Sequence, residues 1–201
     1  MGDKIQGDIF WKFDNDIDSD TCKRIISIAE NKWETASTQG KTANKVRKTK
    51  IYWTTEKWLY DLVFDYMNAA NINAGWNFEI DSAESMQIGK YGRGCFYDTH
   101  IDGNGTTLYN DPENKFKHGK TRKLSMTVLL NEGYEGGELN FTNDTAGLNF
   151  TNDTGADSII SGKGTKGSVI VFPSYHCHSV EKITKGTRYS LVVWFLGKGF
   201  R

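Results

Sequence analysis

Tyr97-Asp98-Thr99-His100-Ile101-Asp102 sets an imidazole and a carboxylate two residues apart. On an extended strand that spacing puts both side chains on one face. A second cluster, His176-Cys177-His178, lies far downstream, and Arg188 follows His178 by ten residues. Groups so distant in sequence converge where a jelly-roll barrel gathers separate strands at its mouth. Taken alone, His100-Ile101-Asp102 also has a plain reading as an ordinary surface or core histidine beside an acid. The later cluster and the arginine are what set it apart.

The flanking sequence has the rhythm such a barrel needs. From Ser85 onward, short β-prone runs alternate with Gly, Asn and Asp. The expected strands are 84–91, 95–101, 123–131, 137–141, 156–161, 168–172 and 187–196. In Leu124-Ser125-Met126-Thr127-Val128-Leu129-Leu130 one face carries Leu124, Met126, Val128 and Leu130. The other carries Ser125, Thr127 and Leu129, a half-polar face suited to the wall of a polar pocket. Residues 103–122 form a long polar loop, which favours a lid or binding loop. The segment Asn140-Phe-Thr-Asn-Asp-Thr145 recurs at 149–154, which reads as a duplicated hairpin or loop insertion rather than a solenoid.

The amino-terminal part differs in character. Residues 9–13 are aromatic-rich and predict a strand. Asp16 to Asp20 supply a cap and acidic first turn for a helix expected to end near Trp33. Residues 35–50 read as a polar loop, with a basic run from Lys41 to Lys50 for which a solvated loop is favoured over a DNA contact. Thr54-Thr55-Glu56 opens a second helix, with Trp58, Leu59, Leu62, Val63, Tyr66 and Met67 at helical spacing. Asn71 to Gly75 breaks it, and Trp76 to Ile80 alternates like a strand.

The length, 201 residues, suits a single domain with residues 1–83 as support and 84–201 as core. Lys plus Arg and Asp plus Glu are 25 each, so no global basic footprint points to a stable nucleic-acid partner. Cys22, Cys95 and Cys177 are scattered and form no disulfide framework, which favours a reducing compartment. No signal-like or membrane-length apolar run is present, so a soluble, cytoplasmic protein is expected.

Two histidines and a carboxylate form a ligand set for non-haem Fe(II) that leaves positions open for reactants. Arg188 opens a strongly apolar strand, where it reads either as a strand-end charge or as a fork gripping a carboxylate. Ser190 lies on the same strand face. In order, the series Tyr91, Tyr97-x-x-His100-x-Asp102, Gly136-Gly137-Glu138-Leu139, Phe172-Pro173-Ser174-x-x-x-His178-x-Val180 and Gly186-Thr187-Arg188-Tyr189-Ser190 through Trp194 resembles the Fe(II)- and 2-oxoglutarate-dependent dioxygenases. Within them it is most similar to the prolyl 4-hydroxylase-like group, including its small bacterial and phage members, over residues 84–196.

The resemblance implies a mainly β fold: a double-stranded β-helix, or jelly roll, with two N-terminal helices packed on its major sheet. It implies His100, Asp102 and His178 as iron ligands, since the family's ligand follows Phe-Pro-Ser after three intervening residues and so excludes His176. It implies Arg188 as the grip on the far carboxylate of 2-oxoglutarate, assisted by Tyr91 and Ser190, with Ser125 or Thr127 on the pocket wall. Trp194 and Tyr97 would line the iron pocket. The implied reaction couples oxidative decarboxylation of 2-oxoglutarate, using O2, to hydroxylation of an unactivated C–H bond, with ascorbate as an accessory reductant. The implied substrate is a prolyl residue in a peptide or protein. The competing readings are hydroxylation of a free amino acid or small metabolite, oxidative demethylation of nucleic acid, a zinc hydrolase, and a non-catalytic jelly-roll binding module.

Overall fold

The computed structural model describes residues 9–36, 47–142, 160–162 and 164–200. The chain begins with β1 (Trp11–Phe13), α1 (Ser19–Ile28), β2 (Glu34–Thr35), β3 (Arg47–Lys48) and β4 (Lys50–Thr54). Helix α2 (Lys57–Asn73) precedes β5 (Ser82–Ala83), β6 (Met86–Tyr91), β7 (Phe96–His100) and β8 (Lys120–Leu129). The remainder comprises β9 (Leu139–Phe141), β10 (Ile160–Ser161), β11 (Val169–Pro173), β12 (His178–Val180) and β13 (Arg188–Lys198).

Two antiparallel sheets face each other. The major sheet has the order β1-β11-β8-β13-β6-β4-β2, with β5 also paired to β13, and the minor sheet has the order β10-β9-β12-β7-β3. This is the expected jelly roll, and two helices pack on its major sheet. No helix among the described residues is long and apolar enough to cross a membrane.

Period-two alternation divides the major sheet between two jobs. Leu124, Met126 and Val128 of β8, with Leu191, Val193 and Phe195 of β13, turn outward onto Ile25 of α1 and Leu59, Val63 and Met67 of α2. The intervening Arg188, Ser190, Val192 and Trp194 of β13 turn inward, as does Thr127 of β8, and all five line a cavity between the sheets. A second apolar cluster, including Phe141, Phe172 and Ile183, closes the space around that cavity. Burying the outward side chains stabilises the sheet by about 1.5–3 kcal/mol each, so the inner face can carry polar groups.

Local chemistry explains where the elements end. Asp18 Oδ1 accepts hydrogen bonds from the Asp20 and Thr21 amides, both at 2.9 Å, and so caps α1. That helix stops at Ile28 rather than near Trp33, because Asn31 adopts a left-handed conformation (φ 61°) that an α-helix does not continue through. Residues 76–80 form no strand. The Asn71 side chain donates to the Phe78 carbonyl and accepts from its amide, both at 2.9 Å, occupying the groups a ladder would need.

The expected loop at 35–50 contains β3 and runs into β4, which pairs with β6 in register Tyr52↔Ile88. The β12 strand was also not among the expected ones. The 137–141 strand begins at Leu139, and the 123–131 strand begins earlier, at Lys120. The expected 156–161 strand is represented by Ile160 and Ser161, with its earlier residues outside the described ones. Most of the duplicated Asn-Phe-Thr-Asn-Asp-Thr segment also lies outside them.

Candidate metal and co-substrate site

Strands β7 and β12 are neighbours in the minor sheet, and His178 pairs directly with His100. Asp102, just beyond β7, is held by its own backbone. Its amide and that of Gly103 both donate to the Ser174 carbonyl at 3.0 Å. The resulting cluster places His100 Nε2 at 3.6 Å from Asp102 Oδ1 and His178 Nε2 at 3.5 Å from Asp102 Oδ2. One ligand atom from each residue lies within 4.8 Å of the others. Neighbouring ligands around a metal bound at the usual nitrogen and oxygen distances stand about 3 Å apart, so a small inward adjustment fits the set to an ion.

The tautomers are arranged for the same purpose. His100 Nδ1 bonds to the Asp98 carbonyl at 2.8 Å, and His178 Nδ1 bonds to the His176 carbonyl at 2.9 Å. A ring whose Nδ1–H donates to a carbonyl presents the lone pair of Nε2, and both Nε2 atoms face Asp102. Burial pushes the His178 imidazole below its ordinary pKa, against the pull of Asp102, and so favours the neutral form a metal requires. Burial would raise the Asp102 carboxyl, but His178, His100 and Arg122 outweigh it and hold the group well below the usual carboxylate range.

Tyr97 stacks on His100 with ring centroids 3.6 Å apart, while Phe172 meets His178 edge-on at 4.7 Å. Those contacts fix the rings and exclude water from one side.

Arg188 lines the same cavity and is 1% exposed. Its Nη1 donates to Ser190 Oγ at 3.0 Å, whereas its Nε and Nη2 are buried with no hydrogen-bond partner. An arginine left with two unsatisfied donors is costly unless a ligand completes it. The Tyr91 ring lies 5.4 Å from the guanidinium, and Thr127, Tyr97 and Trp194 also line the cavity.

Ser125 is placed differently from the expectation. It is fully buried outside the cavity lining and shares a 2.9 Å hydrogen bond with Ser174 Oγ. There it braces the residue whose carbonyl holds Asp102. The His176 ring is not part of the three-residue cluster found among the described residues.

Two further cavity residues, Arg47 and Gln87, had no signal in sequence. Arg47 reaches the site because β3 pairs with β7, which puts its guanidinium 4.5 Å over the Tyr97 ring and in hydrogen-bond contact with the Gln87 side-chain oxygen. It is 8% exposed, and its Nε has no partner. Trp194 Nε1 is likewise buried and unpartnered. Arg122 stacks over Trp194 at 4.2 Å and donates to the Asp102 carbonyl at 3.2 Å.

The family model of the 2OG-Fe(II) oxygenase superfamily matches residues 86–196, over half of the chain, and the protein belongs to that superfamily. A PKHD-type hydroxylase of Picosynechococcus is 33% identical over 115 residues, which cover 56% of this chain and 42% of that protein. Another from Acaryochloris marina is 31% identical over the same coverage. The chain thus spans less than half the length of these curated relatives.

Among solved structures, a Pseudomonas putida prolyl-4-hydroxylase superposes with a TM-score of 0.67 at 19% identity, covering 98% of this chain and 96% of that one. A Trichoplax adhaerens prolyl hydroxylase, solved with a hypoxia-inducible-factor peptide fragment, gives 0.66 at 17% identity, covering 96% and 85%. At these identities the likeness is one of fold.

Proposed function

We propose that this protein is an Fe(II)- and 2-oxoglutarate-dependent dioxygenase that hydroxylates an unactivated C–H bond, with a prolyl residue of a peptide or protein as the substrate. One observation carries the reading. A half-buried His-Asp-His cluster and a fully buried arginine with two unsatisfied donors line a single cavity. A metal alone explains the cluster, but only an anionic second ligand explains Arg188. In this assignment His100, Asp102 and His178 hold iron, while Arg188 and Ser190 hold the far carboxylate of 2-oxoglutarate beside Tyr91 and Thr127.

Iron, 2-oxoglutarate and O2 supply the oxidising chemistry when bound. The protein's own residues orient and exclude. The backbone carbonyls of Asp98 and His176 keep both imidazoles in the ligating tautomer. Tyr97, Phe172 and Trp194 wall the centre against water. Arg47 Nε and Trp194 Nε1 offer donors to a substrate rich in acceptors, as a peptide backbone is. The PKHD-type relatives and the prolyl hydroxylase fold favour proline as the residue modified. Soluble cytoplasmic residence and support of turnover by ascorbate belong to the same reading.

The test is anaerobic titration with Fe(II) and 2-oxoglutarate, followed by aerobic incubation with proline-containing peptides and mass spectrometry. Binding of both, with a gain of about 16 daltons on a peptide proline (one oxygen atom, as the hydroxylation requires), is the expected result. The same mass gain on free amino acids alone would move the substrate to a small metabolite. Failure to bind iron or consume 2-oxoglutarate would favour a non-catalytic binding module.

A further inference from the structure

Glu84 lies between β5 and β6, 5% exposed, and its carboxylate collects four hydrogen bonds. Arg122 donates through Nε at 2.7 Å and Nη2 at 3.0 Å, the Tyr109 hydroxyl donates at 2.7 Å, and Lys117 Nζ donates at 3.0 Å. Tyr109 and Lys117 belong to the long polar segment that leaves the iron cluster at Asp102 and returns at Arg122. That segment is otherwise clasped mainly to itself. The Tyr109 amide donates to the Lys120 carbonyl at 2.8 Å, and the Gly119 amide donates to the Tyr109 carbonyl at 3.0 Å. Glu84 is therefore where the Tyr109 and Lys117 side chains are fastened to the sheet, while Gly105 and Leu108 abut Phe200 and Gly199 and Lys120 bonds to Asp81 and Ser82.

The same carboxylate faces the metal centre through Arg122. That guanidinium uses Nε and Nη2 on Glu84 and spends Nη1 on the Asp102 carbonyl, while its plane covers Trp194. The Glu84 amide also donates to the Trp194 carbonyl at 2.9 Å. Between the loop and Asp102 runs a cleft lined by Gly103, Thr107, Tyr109 and Arg122, which shares Asp102 with the iron cavity. A group entering that cleft meets the loop on one side and the metal-ligand backbone on the other.

We propose that Glu84 is a positioning residue that latches the 103–119 loop beside the iron cavity and, through Arg122 of β8, couples the latched loop to the placement of Asp102 and Trp194. The four hydrogen bonds converging on one buried carboxylate, and the reach of one donor to a metal-ligand backbone, carry the inference. It rests on the oxygenase reading only for the identity of the neighbouring site.

Hydrogen exchange on the full chain, combined with anaerobic Fe(II) titration, tests it without turnover. Tyr109→Phe and Lys117→Met each delete one outer donor and leave Arg122 in place. Each should speed exchange at the Tyr109 and Gly119 amides about tenfold, the worth of one charge-assisted hydrogen bond, with Fe(II) affinity unchanged. Glu84→Gln should speed the same amides at least as much and also weaken Fe(II) binding several-fold, while β11 and β13 amides stay protected.

In the Glu84→Gln background, Tyr109→Phe should add almost nothing, because both act through one carboxylate. Loop exchange at the wild-type rate in Tyr109→Phe and Lys117→Met would overturn the latch. A released loop with unaltered iron affinity in Glu84→Gln, or additive effects in the double variant, would overturn the coupling. If Glu84→Gln loses protection throughout the sheet, the two outer variants decide the latch and Arg122→Lys decides the coupling by its effect on iron affinity. Wild-type protein that binds no Fe(II) would sink the oxygenase reading and the coupling, while the exchange arms still judge the latch.

Discussion

His178 stands directly opposite His100 on adjacent antiparallel strands, with ring centroids 4.3 Å apart, and each ring is tied through Nδ1 to the carbonyl two residues before it. The two imidazoles are thus oriented by backbone carbonyls, and the rings of Tyr97 and Phe172 hold them in place. His100→Ala, Asp102→Ala and His178→Ala each remove a ligand and should weaken Fe(II) binding by about 100-fold or more, beyond the range seen for losing an outer partner. His176→Ala keeps the carbonyl that orients His178, and its affinity should stay within a few-fold of wild type. Anaerobic metal titration of the four variants separates these outcomes, and loss of iron in His176→Ala would overturn the ligand assignment.

Arg188 keeps Nε and Nη2 in reserve. Arg188→Ala removes two charge-assisted hydrogen bonds to a bound dicarboxylate, each worth about 1.5–3 kcal/mol. The 2-oxoglutarate requirement should rise by two orders of magnitude or more, while Fe(II) affinity moves little. Arg188→Lys restores the charge but not the planar fork, and should recover only part of the loss. Equal losses of metal and co-substrate binding would mark the arginine as structural. Co-substrate titration monitored by succinate formation reads the difference.

The parts of this site that were legible in sequence are the ordered motifs carrying His100, Asp102, His178 and Arg188 and the alternation fixed within single strands. The alternation through Leu124–Leu130 and Arg188–Trp194 follows from strand geometry, and one apolar face in each made the register unambiguous, whereas Asp102 lies just past β7 and is placed by the Ser174 carbonyl. What escaped depends on pairing between distant segments. Arg47 enters the cavity only because a two-residue strand pairs with β7. Glu84 and Arg122 meet across 38 residues, and nothing local marks either as a partner. The short strands β3 and β12 carry too few residues for a periodic signal and exist by virtue of their neighbours. Ser125 points inward as its alternation required, but Ser174 intercepts it, and no strand pattern contains that information.

Acid should loosen the loop through Glu84. Burial alone would raise this carboxyl, but Arg122, Tyr109 and Lys117 outweigh it and hold it at about 2, against an ordinary 4.5. A carboxyl whose pKa is depressed by folding stabilises the native state fully above its unfolded pKa. That contribution drains away as pH falls from about 4.5 toward about 2. It is on the order of 3 kcal/mol. Urea midpoints measured across this range should fall with pH in the wild type, and the fall should be shallower in Glu84→Gln. Identical acid limbs in the two proteins would show that Glu84 titrates alike in the folded and unfolded chains.

Gly137 should control the co-substrate end of the cavity without contacting any ligand. Its φ is +76°, and a Cβ there would stand 2.3 Å from Ile183 Cδ1 and 2.9 Å from Arg188 Cδ. The second distance reflects an Arg188 stem that lies against the bare glycine backbone. Gly137→Ala must therefore accept a left-handed conformation at about 1–2 kcal/mol and displace both neighbours. Ile183 can yield by rotation, but Arg188 is fully buried and held by Ser190, so its guanidinium must shift within the cavity. The variant should be less stable by about 1–3 kcal/mol and should lose 2-oxoglutarate affinity disproportionately to iron affinity. Adding Ile183→Val should recover stability while leaving the co-substrate defect, since it relieves only one of the two clashes. Thermal melts with paired Fe(II) and 2-oxoglutarate titrations decide it, and recovery of both properties together would mean that Arg188 had not moved.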